Sequence, residues 1–290
     1  MRTRTLGNQT VSAIGLGGMP MSIEGRPEQD RSIRTIHAAL DSGVTLIDTA
    51  DAYHMKAGEV GHNERLIAKG LSSYSGDTSG VLVATKGGHL RPSDGSWTID
   101  SSPAHLKQAC DASLRALGVE AIGLYQLHRP DEKVPYAESV GALKELQEAG
   151  KVQLVGISNA SVEQIDIARE VLGEGNLASV QNQFSPAYRS SEGELEYCAQ
   201  LGIGFLPWSP FGGITRAGDL GSSFSAFGKI AAARGVSPHQ VCLAWLLAKA
   251  PVVLPIPGAS RPESITDSSG AAELELTSDE IAELDGSQGE

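Results

Sequence analysis

The amino-acid sequence predicts an α/β fold, a closed (β/α)8 TIM barrel with an N-terminal β-hairpin capping the barrel bottom. Three observations predict it. Short apolar runs alternate with amphipathic helical patterns eight times over 290 residues. No linker or shift in composition interrupts them, so residues 1–290 read as one domain. The polar residues capable of chemistry cluster just after the apolar runs, where a parallel barrel builds its site.

The elements follow in order. TRTLGNQTVS turns at Gly7-Asn8 and reads as a hairpin plugging one end. The strand candidates are Ile14–Gly17, Val44–Ile47, Val81–Thr85, Ile122–Leu127, Leu154–Ile157, Ser179–Asn182, Gly204–Trp208 and Val252–Ile256. They have the continuous apolar character of strands covered on both faces. Between the first two, Ile33, Ile36 and Leu40 share a helix face that Gly43 ends. Ser102-Pro103 opens a helix through Leu106, Cys110, Leu114 and Leu117, stopped by Gly118. Ser161–Gln164, Ser191–Glu194, Ser237–Gln240 and Thr277–Glu280 have capping-box spacing, and Gly150 and Gly202 stand as C-terminal stops. A doubly wound open sheet is the competing architecture. It needs a glycine fingerprint opening a helix, whereas Gly15, Gly17 and Gly18 run into Met19-Pro20-Met21.

The formal net charge is −12. It argues against a nucleic-acid partner and an anionic membrane surface, both of which reward excess Lys and Arg. The start MRTRTLGNQT lacks the apolar core of a secretory signal, and no run of 18 apolar residues occurs. Cys110, Cys198 and Cys242 lie on apolar helix faces without CxxC spacing, so they read as reduced core thiols. A cytoplasmic protein without a metal site is expected.

The strand ends hold the chemistry. They carry Asp48, Lys86, His128, Ser158-Asn159, Gln181, Trp208 and the loop Gly258-Ala259-Ser260-Arg261, with Tyr53 five residues beyond Asp48. Each alone has an ordinary structural explanation: a turn acid, a solvated lysine, a satisfied histidine, capping amides. Together they make a proton-transfer set. A phenol titrates too high to shuttle protons efficiently at neutral pH. A nearby ammonium favours its phenolate, and an aspartate holds that ammonium charged. A histidine beside the phenol can hydrogen-bond a carbonyl oxygen. Free amides at Asn159 and Gln181 suit a carboxamide, and the Trp208 indole suits a flat heteroaromatic ring. Such a site needs a hydride carrier.

These residues resemble the aldo-keto reductases over almost the whole chain. DTADAY with GHNERLIAKGL resembles the family's aspartate–tyrosine motif and the helix after it. VATKGG and LYQLHRPD resemble its lysine and histidine strands; VGISNAS, VQNQFSP, WSPFGG and PIPGAS resemble its cofactor-binding segments, in the family's order. The resemblance implies NADP-dependent reduction of an aldehyde or ketone, with Tyr53 as proton donor and Lys86, salt-bridged to Asp48, lowering its pKa. His128 orients the carbonyl. Ser158, Asn159 and Gln181 hold the nicotinamide carboxamide and Trp208 stacks on its ring. The segment Ser209 to Ile214, with Pro210, Phe211, Gly212 and Gly213, wraps the pyrophosphate.

The last loop departs from the pattern. Gly258 stands in the first basic slot, Ser264 where an arginine is common, and Ser268, beside Asp267, replaces an asparagine. Arg261 with Ser260 is the group available for a 2′-phosphate. NADPH/NADP+ is therefore the expected cofactor, with NADH possible. The substrate is a small-molecule carbonyl or alcohol, its physiological identity and the oligomeric state left open.

Substrate-wall candidates are Met19, Met21, His54, Trp97, Arg129 and Ala217–Phe227. Trp97 reads equally as a loop anchor. Arg129 reads either as a group meeting an anionic substrate or as the partner of an acid such as Asp131. Asp51 reads as a turn or N-cap residue. Two alternatives remain: a barrel lyase with a Schiff base on Lys86, and a slow-turnover, cofactor-sensing regulatory subunit.

Overall fold

The computed structural model describes residues 1–56, 58–213 and 217–287. Two antiparallel strands, β1 (Thr3–Leu6) and β2 (Gln9–Ser12), open the chain. Gly7 makes their turn with φ at +58°, and a Cβ there would lie 2.9 Å from Leu154. The turn therefore needs glycine for both its dihedral and its close approach. Leu6 and Val11 pack with Leu46, Leu82, Leu124, Leu154, Leu206 and Leu254. The hairpin is thus the floor of the barrel interior, as expected.

The strand–helix alternation then runs as predicted. It comprises β3 (Leu16–Gly17), α1 (Gln29–Asp41), β4 (Leu46–Asp48), α2 (His62–Ser72) and β5 (Leu82–Gly87). A short hairpin of β6 (His89–Leu90) and β7 (Thr98–Ile99) interrupts, inside a stretch expected to be a plain loop. Next come α3 (Pro103–Leu117), β8 (Ile122–Leu127), α4 (Tyr136–Glu148), β9 (Val152–Ser158), α5 (Val162–Leu172), β10 (Leu177–Gln181), α6 (Glu192–Leu201) and β11 (Gly204–Phe205). The chain ends with α7 (Leu220–Ser223), α8 (Ser225–Arg234), α9 (Pro238–Lys249), α10 (Pro262–Gly270) and α11 (Ser278–Gly286).

The parallel sheet has the order β11-β10-β9-β8-β5-β4-β3. The strand expected at Val252–Ile256 forms no ladder of its own. Pro251, Pro255 and Pro257 lack the donors a ladder needs. This segment closes the circle by single bridges, Phe205 to Val253 and Gly17 to Gly258. Leu254 N donates to Phe205 O on one side, and Gly15 N and Gly17 N donate to Pro255 O and Pro257 O on the other. Likewise, the strand expected at Gly204–Trp208 keeps a ladder only through Phe205, because Pro207 removes the next donor; Trp208 rejoins by a bridge to Gln183.

Helix starts were legible in part. Ser161 and Thr277 form full capping boxes. Ser237 caps the backbone of Gln240, whose side chain goes instead to Asp267. Ser191 has a non-extended backbone and makes no cap bond. The main core lies between sheet and helices, with Phe184, Phe205, Phe227 and Trp245 wholly buried. The three cysteines are buried and unpaired. Among the described residues, no helix is long and apolar enough to cross a membrane.

Candidate active site

Neighbouring strands bring the reactive side chains together. Asp48 ends β4, and Thr49 N and Asp51 N continue onto Ala84 O and Lys86 O of β5. The turn that follows carries Tyr53 back over the strand ends. Lys86 lies on β5, and His128 directly follows β8, with its N–H on Gly87 O at 2.9 Å.

Lys86 is wholly buried. Its Nζ donates to both Asp48 oxygens at 2.8 and 2.7 Å, to Thr49 O at 2.8 Å and to Tyr53 Oη at 3.5 Å. The Tyr53 and His128 rings meet edge to face, with centroids 5.8 Å apart. Burial pushes the Tyr53 phenol up; Lys86 pulls the opposite way, as expected, and Asp48 offsets part of that pull. Burial alone would lower the Lys86 pKa, but Asp48 and Tyr53 outweigh it and leave it raised. Burial and the neighbouring Lys86 hold His128 well below the ordinary histidine range. The set is therefore a neutral phenol, a fixed ammonium and a neutral imidazole.

Asp48, Tyr53 and His128 open into a cavity of about 510 Å³, a size typical of small-molecule sites. Of the expected cofactor residues, Ser158, Asn159, Gln181, Trp208, Ser209, Pro210, Phe211 and Gly258 line it, and so does Gly213. Among the described non-glycine residues, Asn159 and Ser209 have positive φ, +57° and +51°. Both stand on this wall, where backbone strain commonly marks function. The amides are not free. Gln181 Nε2 donates to Asp48 at 2.8 Å, and Asn159 Nδ2 donates to His128 O at 2.9 Å and to Ser158 Oγ at 3.0 Å.

Other expected residues lie off the cavity. Gly212, Ser260, Arg261, Ser264, Asp267 and Ser268 do not line it. Arg261 donates to Ser264 Oγ at 2.8 Å. The Asp267 carboxylate is taken by Ser237, the N-cap of α9, and by Gln240 within it, and Ser268 is buried. Ile214 lies outside the described residues.

On the substrate side, Met19, Trp97, Arg129 and Ala217 line the cavity. Met21 instead packs in the core with Leu16 and Ile36, and Phe224 and Phe227 pack in the main core. His54 also misses the wall. It is buried in its own loop, with Nδ1 on Lys56 O at 3.0 Å and its carbonyl on Arg91. Asp51 sits in the turn but caps no helix; its carboxyl is buried, with Oδ1 unpartnered, and burial and Glu64 raise its pKa well up.

The loop His89–Ser101, which the sequence offers as the side wall of the substrate pocket, does supply His89 and Trp97 to the cavity, whereas sequence reasoning missed Glu24 on the same wall. His89 stacks on Trp97 at 4.7 Å and meets the His128 ring edge-on at 4.8 Å. Burial and Arg129 lower its pKa to about 4. Arg91, whose guanidinium lies 4.8 Å from the Trp97 ring centre, pairs with Glu24. Trp97 is thus both cavity wall and loop anchor, while remaining 42% exposed.

Comparison with known proteins agrees with this architecture. The model of the aldo/keto reductase family matches residues 13–288. The chain is 33% identical to pyridoxine 4-dehydrogenase of Escherichia coli over 295 residues, 98% of this chain and 97% of that protein. It resembles the solved glycerol dehydrogenase from Gluconobacter oxydans with a TM-score of 0.83 and 29% identity, covering 98% and 94% of the two chains. It also resembles an aldo/keto reductase from Klebsiella pneumoniae, solved in complex with NADP and acetate, with a TM-score of 0.82, 28% identity and the same coverage. The family match and the closed barrel agree: the chain belongs to the aldo/keto reductase family.

Proposed function

We propose that the protein, acting as one catalytic unit, reduces an aldehyde or ketone to an alcohol, with NADPH as its cofactor. The observation that carries this reading is the shared Lys86 ammonium, held by Asp48 and Thr49 and touching Tyr53 at the cavity end. The NADP complex of the Klebsiella pneumoniae relative supports the cofactor. The cavity fits such a group: Trp208 offers a flat ring, and the strained Ser209 and neighbouring Gly213 bring backbone to the wall.

When bound, NADPH supplies the hydride. Tyr53 gives its proton to the carbonyl oxygen. Lys86 stabilises the phenolate left behind, and Asp48 keeps the lysine charged. His128, a neutral imidazole, donates a hydrogen bond to the same oxygen and orients it. Ser158, Asn159 and Gln181 would hold the nicotinamide amide, the Gln181 and Asn159 amides giving up their internal bonds to do so. Arg261, at the N-cap of α10, would meet the 2′-phosphate with Ser260, where a helix N-terminus favours an anion.

Lys86 is a poor Schiff-base nucleophile. It is wholly buried and paired with a carboxylate, so its lone pair stays protonated. Loss of NADPH absorbance with a simple aromatic aldehyde tests the reading directly, with NADH compared in parallel. Tyr53→Phe should lose roughly 100- to 10,000-fold in turnover, the span of general acid catalysis, while cofactor titration changes little. Near-normal turnover would assign the proton to another group.

A further inference from the structure

We propose that Arg129 reads a fixed negative charge on the substrate, so that the preferred carbonyl compounds carry a carboxylate or a phosphate ester. This rests on the reductase reading and names the substrate class that it leaves open.

The argument is a balance of charges on the cavity wall. Two acids line it, Glu24 and Asp48. Both are neutralised, Glu24 by Arg91 and Asp48 by Lys86. Arg129 lines the same wall, half-buried, and its guanidinium makes no hydrogen bond or ion pair among the described residues. The acid nearest in sequence does not serve it. Asp131 accepts the backbone N–H groups of Lys133 at 3.0 Å and Ser101 at 3.4 Å. Among the described residues, a chain of net charge −12 thus keeps one uncompensated cation on its cavity wall.

The arginine is also well placed. Its carbonyl accepts Ser101 Oγ at 2.8 Å, and Pro130 restricts its backbone to extended conformations. His128, the preceding residue, is tied to Gly87 and Asn159. Arg129 shares the cavity wall with Tyr53, His89 and His128, the residues of the reacting end. A guanidinium fork matches both carboxylate and phosphate oxygens, and partial burial strengthens the pairing.

The test compares matched substrates on wild type, Arg129→Ala and Arg129→Lys. The pairs are 4-carboxybenzaldehyde against benzaldehyde, and glyceraldehyde 3-phosphate against glyceraldehyde. In at least one pair, wild type should favour the charged member in kcat/KM. Arg129→Ala should cut that charged-to-neutral ratio about 10- to 100-fold, the range of a charge-assisted hydrogen bond, and Arg129→Lys should restore part of it. The pair that responds identifies the anion. Equal loss for both members, a wild type indifferent to charge in both pairs, or a fall in NADPH affinity as large as the fall in ratio overturns the proposal. Calorimetric titration of benzoate against benzamide reads the same contact without turnover. If neither aldehyde is reduced but benzoate binding is lost in Arg129→Ala, the reductase reading fails while the anion contact stands.

Discussion

Single residues set the chemistry, and their burial matters as much as their identity. Tyr53, Lys86 and His128 were legible because each follows an apolar run that can only be a strand. Their protonation was less so. The lysine's effect on Tyr53 has the expected sign, but burial dominates and leaves the phenol raised, a state suited to donating a proton. Asp51 belongs to this scale too. It lies buried behind the site, and burial and Glu64 hold its carboxyl well above the ordinary range. Between the ordinary carboxylate pKa and that raised value, the folded chain keeps the proton and the unfolded chain has lost it. Asp51 therefore costs stability as pH rises through this window. Asp51→Asn removes the cost, so its stability relative to wild type should improve steadily from about pH 4 upward. Urea unfolding at several pH values measures this; a difference that is flat or shrinks with pH would mean that Asp51 is ionised in the fold. Glu24 escaped the sequence because its pairing with Arg91 joins two loops remote in the chain.

Whole elements were readable where nothing but backbone pairing was required of them. The middle strands fall within about two residues of their expected bounds because β5, β8, β9 and β10 are bonded on both sides. Prolines account for two of the strands that shrank, those expected at Gly204–Trp208 and Val252–Ile256; the first, expected at Ile14–Gly17, keeps only Leu16–Gly17 without one. The N-terminal hairpin illustrates the opposite case, an element short in sequence but deep in consequence. Leu6 is fully buried at the centre of the interior cluster. Leu6→Ala should destabilise the protein by roughly 2–5 kcal/mol, the cost of a large-to-small change in a packed core. Chemical denaturation measures it. A loss below about 1 kcal/mol would show that the barrel floor collapses onto the cavity without penalty. Caps behaved the same way: capping-box spacing succeeded at Ser161 and Thr277 and failed at Ser191, where the entering chain is not extended.

At the scale of the molecule, closure gathers Asp48 and Gly258 to one cavity although they are remote in sequence. Gly17 and Gly258 meet across the closing seam, so the first and last thirds of the chain both line the cavity. Arg261→Ala should weaken NADPH by about 10- to 100-fold and NADH by less, since only the former offers a 2′-phosphate to the guanidinium. Fluorescence titration with both cofactors decides it; equal weakening would give the 2′-phosphate to another residue. The barrel was predictable from the alternation, whereas the manner of its closure was not, because hydrophobicity says nothing about missing donors. That seam also bears on self-association. If it parted, the freed edges would be β3 and β11, each two residues long, facing a strip studded with prolines. Short and donor-poor edges are poor templates for a neighbouring chain, so a barrel opened at this place would offer little purchase for runaway strand addition.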